Sequence, residues 1–530
     1  MAVAAAAVLV LVTLAMVREG LRLTDGQLVY ALDDPYIHMA IARNLAHFGE
    51  WGVTPGRFEP ASSSPLWTLS LAGVYRLFGV SDGAPLVMNM LVGVAVILLL
   101  DRLLRPMIVS SAVRGAIALA VGLAIPLPAL AVTGMESPLH VLLTLLLSWT
   151  VAGRLAGAAW SPASGDVAIA ALSTLCMLTR FESCFLILPL AVVAMVRRRP
   201  GISRALIVGG VAALAAYMTF ALPQGGLWLP NPVLLKPRLV DLSTFEGWAG
   251  FLTRIPDQLV WRRNSHMTAL LLAAVWCLLP RARATVQHAD VPRILLAVFI
   301  PAALLHIQFA RLGWFFRYEA YLVALGLSGI AAALACGAWA LPLAFPARPL
   351  SAGARAAAAL LVVLLATPVL TRTLRSVRST PPAMRNIHEQ QYQMGRFVHA
   401  HFRDRGVAVN DLGAVGYFGG ARVEDLLGLG ASDVTRARLE GRFDAAFIER
   451  WCASRQVEVA LVYPGWFDDT GGLPPSWRAL ARWTIRDNVV AGDTTVTIFA
   501  TDPASTERVR AALHAFVPTL PRGVRVELID

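Results

Sequence analysis

The first two-thirds of the chain repeat one pattern: apolar runs close to membrane-spanning length, separated by short loops rich in Arg, Gly and Pro. A helix needs roughly 17–25 mostly apolar residues to cross a bilayer. Such runs fall near 1–17, 85–104, 115–132, 137–155, 166–179, 182–196, 204–222, 266–280, 292–309, 318–341 and 356–373. They predict an α-helical polytopic membrane protein with about eleven transmembrane helices. Residues 1–17 lack the basic start and small-residue cleavage site of a signal peptide, and read as the first span. The run 65–79 is apolar but short, and reads as a helix lying along the outer surface or partly inserted. From residue 374 onward the long runs stop, and 18 of the 34 acidic residues lie in this tail. Residues 407–409, 457–462 and 494–500 read there as strands, and 443–454 and 505–516 as helices. The chain thus divides into a membrane domain, 1–373, and a soluble α/β domain, 374–530.

Composition agrees. The chain is 57% hydrophobic and 15% charged, where a soluble protein carries about 25% charged residues. The net charge of +12 is not a nucleic-acid signal, because much of the Arg sits in loops between spans. If 65–79 does not cross, the loops holding Arg102, Arg105 and Arg114, Arg197–Arg199 and Arg204, Arg281, Arg283 and Arg293, and Arg348 and Arg355 all share one side. The positive-inside rule makes that side cytoplasmic. The other side of a bacterial cytoplasmic membrane then receives the unusual polar residues and the C-terminal domain. The five cysteines show neither a disulfide framework nor metal-ligand spacing.

The polar residues on that outer side are the candidates for chemistry. Asp33 and Asp34, in Ala-Leu-Asp-Asp-Pro-Tyr-Ile-His, follow the first span directly. Carboxylates beside a membrane are expensive unless they face water, a partner or a substrate. Either could act as a general base; the structural alternative is that one caps the helix that Pro35 begins. His38 lies four residues further on the same helix. Glu136, in Thr-Gly-Met-Glu-Ser-Pro-Leu, binds substrate hydroxyls, orients an Arg or complements a helix N-terminus. Arg180 and Glu182 either pair with each other or contact substrate. Asn231 and Lys236 share the loop Leu-Pro-Asn-Pro-Val-Leu-Leu-Lys, and Lys236 is the only lysine beside 45 arginines. A lone ammonium in an arginine-rich chain points to an anionic donor group. Arg311 and Arg317 either complete a phosphate clamp or anchor an aromatic belt at the interface. In the tail, Asn410-Asp411-Leu412-Gly413 reads as a turn rather than a sugar contact. The histidines His140, His306, His399 and His401 read as packing or surface residues, and no Gly-rich nucleotide loop is present.

Taken in order, Asp-Asp-Pro-Tyr, Ser-Ser-Pro-Leu-Trp, Thr-Gly-Met-Glu-Ser-Pro-Leu, Thr-Arg-Phe-Glu, Leu-Pro-Asn-Pro-Val-Leu-Leu-Lys and Phe-Arg-Tyr resemble the GT-C superfamily of membrane glycosyltransferases. Within it, the likeness is to the mycobacterial terminal arabinofuranosyltransferase group. Val-Asn-Asp-Leu-Gly-Ala-Val-Gly-Tyr-Phe and Val-Glu-Asp-Leu-Leu-Gly-Leu extend it to about residue 430. The resemblance implies an inverting enzyme that takes a sugar from a polyprenyl-phosphate donor on the outer face. Asp33 then matches the base, with Asp34 beside it, while Lys236 and Arg317 match donor-contacting positions. Two departures bear on the sugar: Phe181 stands where Pro is common in Thr-Arg-Pro-Glu, and Pro232 where Thr is common after Leu-Pro-Asn.

That chemistry needs a carboxylate and a few cations. No cofactor is required, and a divalent metal stays compatible with the acidic pair. The implied partners are the lipid-linked donor, membrane lipid and a glycan, glycolipid or protein acceptor. Two other readings stand beside this one. A transporter or flippase of a lipid-linked sugar would more often place its polar residues near the midplane, on broken helices from two related halves. A non-catalytic assembly subunit would not depend on Asp33.

Overall fold

The apolar runs are helical where the structure describes them, with one run broken in two. In the computed structural model, which describes residues 1–157, 165–235, 244–260, 264–279, 290–336 and 352–529, five helices are long and apolar enough to cross a membrane. They are Ala2–Leu23, Ala84–Leu104, Ser137–Leu155, Pro200–Gln224 and Asp290–Phe309. Shorter apolar helices span Ser111–Ala124, Asp166–Thr179, Phe181–Val196, Ser265–Leu278 and Ala320–Ala335. The short run near 65–79 is the helix Pro65–Phe78, and the helix Asp34–Phe48 packs against it.

The run expected at 115–132 is two helices, Ser111–Ala124 and Leu127–Val132. Pro126 and Pro128 explain the break, since proline supplies no N–H and restricts the residue before it. The carbonyls released there do not go unpaired. Arg372 Nη1 donates to Ala124 O at 2.9 Å and to Ile125 O at 3.1 Å.

A single helix, Ala352–Ile387, carries the chain through 373–374, where the sequence places the change from membrane to soluble part. Six strands follow: β1 (Gly406–Val409), β2 (Arg422–Asp425), β3 (Val457–Val462), β4 (Arg478–Thr484), β5 (Thr495–Ala500) and β6 (Arg525–Leu528). Their order in the sheet is β2-β1-β3-β5-β4-β6. β1 runs parallel to both neighbours, with Val407 opposite Val423 and Val459, whereas β5, β4 and β6 pair antiparallel. The helices Ala445–Ser454 and Thr506–Phe516 lie where the sequence predicts them. β2, β4 and β6 were not expected.

The C-terminal sheet domain shares a core with the segment that follows the first helix. Tyr36 is fully buried, with its ring 5.9 Å from Tyr417 and 5.1 Å from Phe418. Gly416 lies against Val53. Burial of this apolar surface holds the loop after the first helix against the helix Gly413–Phe418.

Candidate active site

The site begins where the chain leaves its first helix. Asp33 occupies the N-cap position of Asp34–Phe48, with Pro35 in the first turn, yet its side chain accepts no cap hydrogen bond. Its carboxylate turns instead to the soluble domain. Oδ2 accepts from Gly413 N at 2.7 Å and Oδ1 from Ala414 N at 2.8 Å. Gly413 is required for this approach, because a Cβ there would come within 2.1 Å of the Asp33 carbonyl oxygen.

Asp34 Oδ2 accepts a hydrogen bond from Arg317 Nη2. Arg317 is 2% exposed, and its Nη2 also lies 3.2 Å from the Tyr318 hydroxyl. Its Nε and Nη1 are buried and have no hydrogen-bond partner among the described residues. The turn that delivers Arg317 is strained: Phe315 and Phe316 have φ of 47° and 64°, a region costly for bulky side chains. A buried ion pair latches it. Glu319 accepts from Gly313 N at 2.8 Å and from Arg372 Nη2 at 3.0 Å, and Arg372 Nη2 also donates to Phe316 O at 2.8 Å.

Asp33, Asp34, Arg311, Arg317 and Tyr318 line a cavity of about 1060 Å³ whose other wall belongs to the soluble domain. His38, Glu136, Arg180 and Glu182 are not among its lining residues. They form a buried relay behind it. His38 Nδ1 lies 2.8 Å from Thr68 Oγ1, and Nε2 lies 3.9 Å from Glu136 Oε2. Arg180 donates to Glu136 through Nη1 and to Glu182 through Nη2, the latter at 2.6 Å. Tyr318 connects relay and cavity, since its ring lies 5.3 Å from the Arg180 guanidinium carbon and 4.9 Å from that of Arg317. Glu136 therefore orients an arginine, and Arg180 pairs with Glu182. Asn231 is fully buried, with no partner for either side-chain amide atom, in the short helix Asn231–Leu235. Leu235 lines the cavity. Lys236 lies outside the described residues.

Several lining residues escaped the sequence reading. Asp411 faces the cavity and is not merely a turn former. Gln391 Nε2 donates to its Oδ2 at 2.8 Å, and the Tyr463 hydroxyl lies 3.0 Å from the same oxygen. Burial, and then the charge of Asp411, push the Asp33 carboxyl well above the ordinary carboxylate range, against the pull of its two amide donors. Asp411 is raised as well, by burial, despite its hydrogen bonds to Gln391 and Tyr463. Arg254, from the helix Phe245–Val260, adds a further cation to the lining and donates to Ile307 O at 3.2 Å and Ala310 O at 3.0 Å. For Glu319 and Arg372 a signal was available, as each is an ionisable residue inside or beside an apolar run.

A family model described as a domain of unknown function (DUF8728) matches residues 385–499. No curated protein matches the chain. Among solved structures, ArnT from Cupriavidus metallidurans in the apo state is 14% identical, with a TM-score of 0.50 over 95% of this chain and 99% of that one. The same protein bound to undecaprenyl phosphate is 15% identical, with a TM-score of 0.48 over 94% and 98%. The arabinofuranosyltransferase AftD from Mycobacteria is 14% identical, with a TM-score of 0.42 over 93% of this chain and 41% of that one. The likeness to ArnT in the apo state runs over nearly the full length of both chains, and the chain has the fold of that protein.

Proposed function

We propose that the protein is an inverting glycosyltransferase that moves a sugar from a polyprenyl-phosphate donor to a hydroxyl of a cell-envelope glycan, glycolipid or protein. The observation that carries this reading is the meeting of carboxylates and a half-satisfied guanidinium in one cavity. Two buried N–H-bearing nitrogens of Arg317 lack a partner, and a phosphate oxygen would supply what they lack. The shared fold with ArnT supports a membrane glycosyltransferase. Residues 1–373 form the catalytic membrane domain and 374–530 an extracytoplasmic domain. Arabinofuranose is the sugar that the ordered motifs favour.

Asp33 acts as the base. Its carboxylate takes the proton from the acceptor hydroxyl, the acceptor oxygen attacks the anomeric carbon, and the bond from that carbon to the phosphate oxygen breaks on the opposite face. Inversion follows from that single displacement. The leaving group departs as polyprenyl phosphate, and Arg317, with Arg311, Lys236 and the amide of Asn231, meets its charge. Asp34 fixes Arg317 through their ion pair, while His38, Glu136, Arg180 and Glu182 hold the floor behind it. A raised Asp33 carboxyl is a stronger base than an ordinary aspartate, which favours proton removal.

The test is transfer from radiolabelled decaprenyl-phosphoryl arabinofuranose to a short synthetic glycan by detergent-purified protein, with Asp33→Asn alongside. Transfer by wild type and its loss in the variant are expected. Equal transfer by both would move the base to Asp34.

A further inference from the structure

The cavity has two chemically different walls. Arg254, Arg311 and Arg317 come from the membrane part, beside Asp33, Asp34 and Asp257, whereas Asp411, Gln391 and Trp466 come from the C-terminal domain, which brings no cation to the lining. The second wall stands at a privileged place in its sheet. β2, β1 and β3 are parallel, and the chain leaves β1 toward β2 on one side while β3 lies on the other. This is a topological switch point, and open sheets bind ligands outside the carboxyl ends of the strands there. Asp411 follows the end of β1 and Trp466 that of β3.

The side chains are prepared for contact. Both hydrogen bonds to Asp411 fall on Oδ2, and among the described residues Oδ1 accepts none. Gln391 is 1% exposed, and its Oε1 has no partner. Trp466 is 38% exposed, with its ring centroid 5.3 Å from that of Tyr463. The backbone at Gly492 stands directly behind it: a Cβ there would lie 2.4 Å from Trp466 Cζ2 and 2.8 Å from Tyr463 Cε2. An indole held by its neighbours offers an apolar face at small entropic cost, and a carboxylate beside it accepts hydroxyl hydrogens.

We infer that Asp411 and Trp466 form the acceptor subsite and take a neutral sugar residue, its C–H face on the indole and a hydroxyl on Asp411 Oδ1. This rests on the glycosyltransferase reading and assigns the acceptor class within it: a glycan terminus, not a protein side chain or a lipid. The lipid phosphate goes to the side that carries the arginines, since the wall from the C-terminal domain brings a carboxylate and no cation.

The test is direct binding to the full-length protein in nanodiscs, which needs no turnover. The probes are a panel of neutral pentofuranose and hexopyranose disaccharides, followed by saturation-transfer NMR, and undecaprenyl phosphate. At least one disaccharide binds wild type. Its affinity falls about tenfold or more in Trp466→Ala and Asp411→Asn, and by much less in Trp466→Phe. Undecaprenyl phosphate binding stays within about twofold in both Trp466 variants and does not weaken in Asp411→Asn, which also reports an intact fold. Disaccharide binding unchanged in both Trp466→Ala and Asp411→Asn, or no disaccharide binding to wild type, overturns the subsite. Should disaccharides bind as expected while no lipid-linked sugar is transferred, the subsite stands and the transferase reading fails.

Discussion

Asp33 and Gly413 stand 380 positions apart in the chain and are joined by a 2.7 Å hydrogen bond from the glycine amide to the carboxylate. The candidate base is thereby oriented by the soluble domain and not by its own helix. Gly413→Ala would force the two segments apart, since the added Cβ overlaps the Asp33 backbone. We expect transfer to fall about a hundredfold, as small displacements of reacting groups do. Steady-state kinetics on correctly inserted variant checks this, with undecaprenyl phosphate binding retained.

The pH profile carries a second expectation. Burial and the charge of Asp411 raise the Asp33 carboxyl, so the acid limb of kcat/KM lies above the ordinary aspartate value of about 4. Activity rises with pH through this limb because the base must be ionised. Asp411→Asn removes a negative neighbour and moves the limb to lower pH. A limb that stays in place in this variant argues against the coupling.

Arg317 separates charge from shape. Arg317→Ala breaks an ion pair whose guanidinium is buried and whose Asp34 carboxylate is partly exposed, and costs less than the about 3–5 kcal/mol of a fully buried pair. Arg317→Lys keeps the charge but not the fork of donors. The lysine variant therefore folds, with a raised KM for the lipid-linked donor and little change in that for the acceptor.

Arg372 acts without lining the cavity. Arg372→Met removes one partner of Glu319, leaving it the Gly313 amide and His266, takes the donor from the Phe316 carbonyl, and loosens the turn in which Phe315 and Phe316 are left-handed. Expected are a loss of about 3–5 kcal/mol in stability and a fall in transfer out of proportion to any change in donor contact. Thermal unfolding and single-turnover rates, measured together, check both.

Glu59 gives a stability test. Its Oε2 accepts from Val53 N at 2.7 Å and Thr54 N at 2.9 Å, but burial pushes its carboxyl from 4.5 to about 7. A raised carboxyl favours the folded state fully below its unfolded value, and that contribution is lost as pH climbs through the folded one. Glu59→Gln lacks this titration. The difference in Tm between variant and wild type should therefore move in favour of the variant between about pH 5 and 8.

The helices were legible because a bilayer leaves the sequence little freedom: a span must be apolar over a fixed length. The ordered motifs also marked Asp33, Asp34 and Arg317. What stayed hidden depends on contacts far apart in sequence. Nothing in Asn410-Asp411-Leu412-Gly413 distinguishes a turn at the surface from one that closes on Asp33. Trp466 follows β3 in a Pro-Gly segment that reads as an ordinary loop. β2 and β6, four residues each, are too short to show alternation. Pro126 and Pro128 did announce the break after Ala124, but the apolar run around them masked it.

The helix Ala352–Ile387 has 36 residues, with Pro368, Pro381 and Pro382 inside it, and leads from the bundle to the C-terminal sheet domain. At about 1.5 Å per residue it is a shaft roughly 54 Å long. The two walls of the cavity are thus not joined by a leash; the phase of this helix must agree with the contacts that Asp33 and Tyr36 make with Gly413–Phe418. One inserted residue would swing the outer domain by about 100° and part Gly413 from Asp33, whereas seven would nearly restore the angle yet lift the domain by about 10 Å.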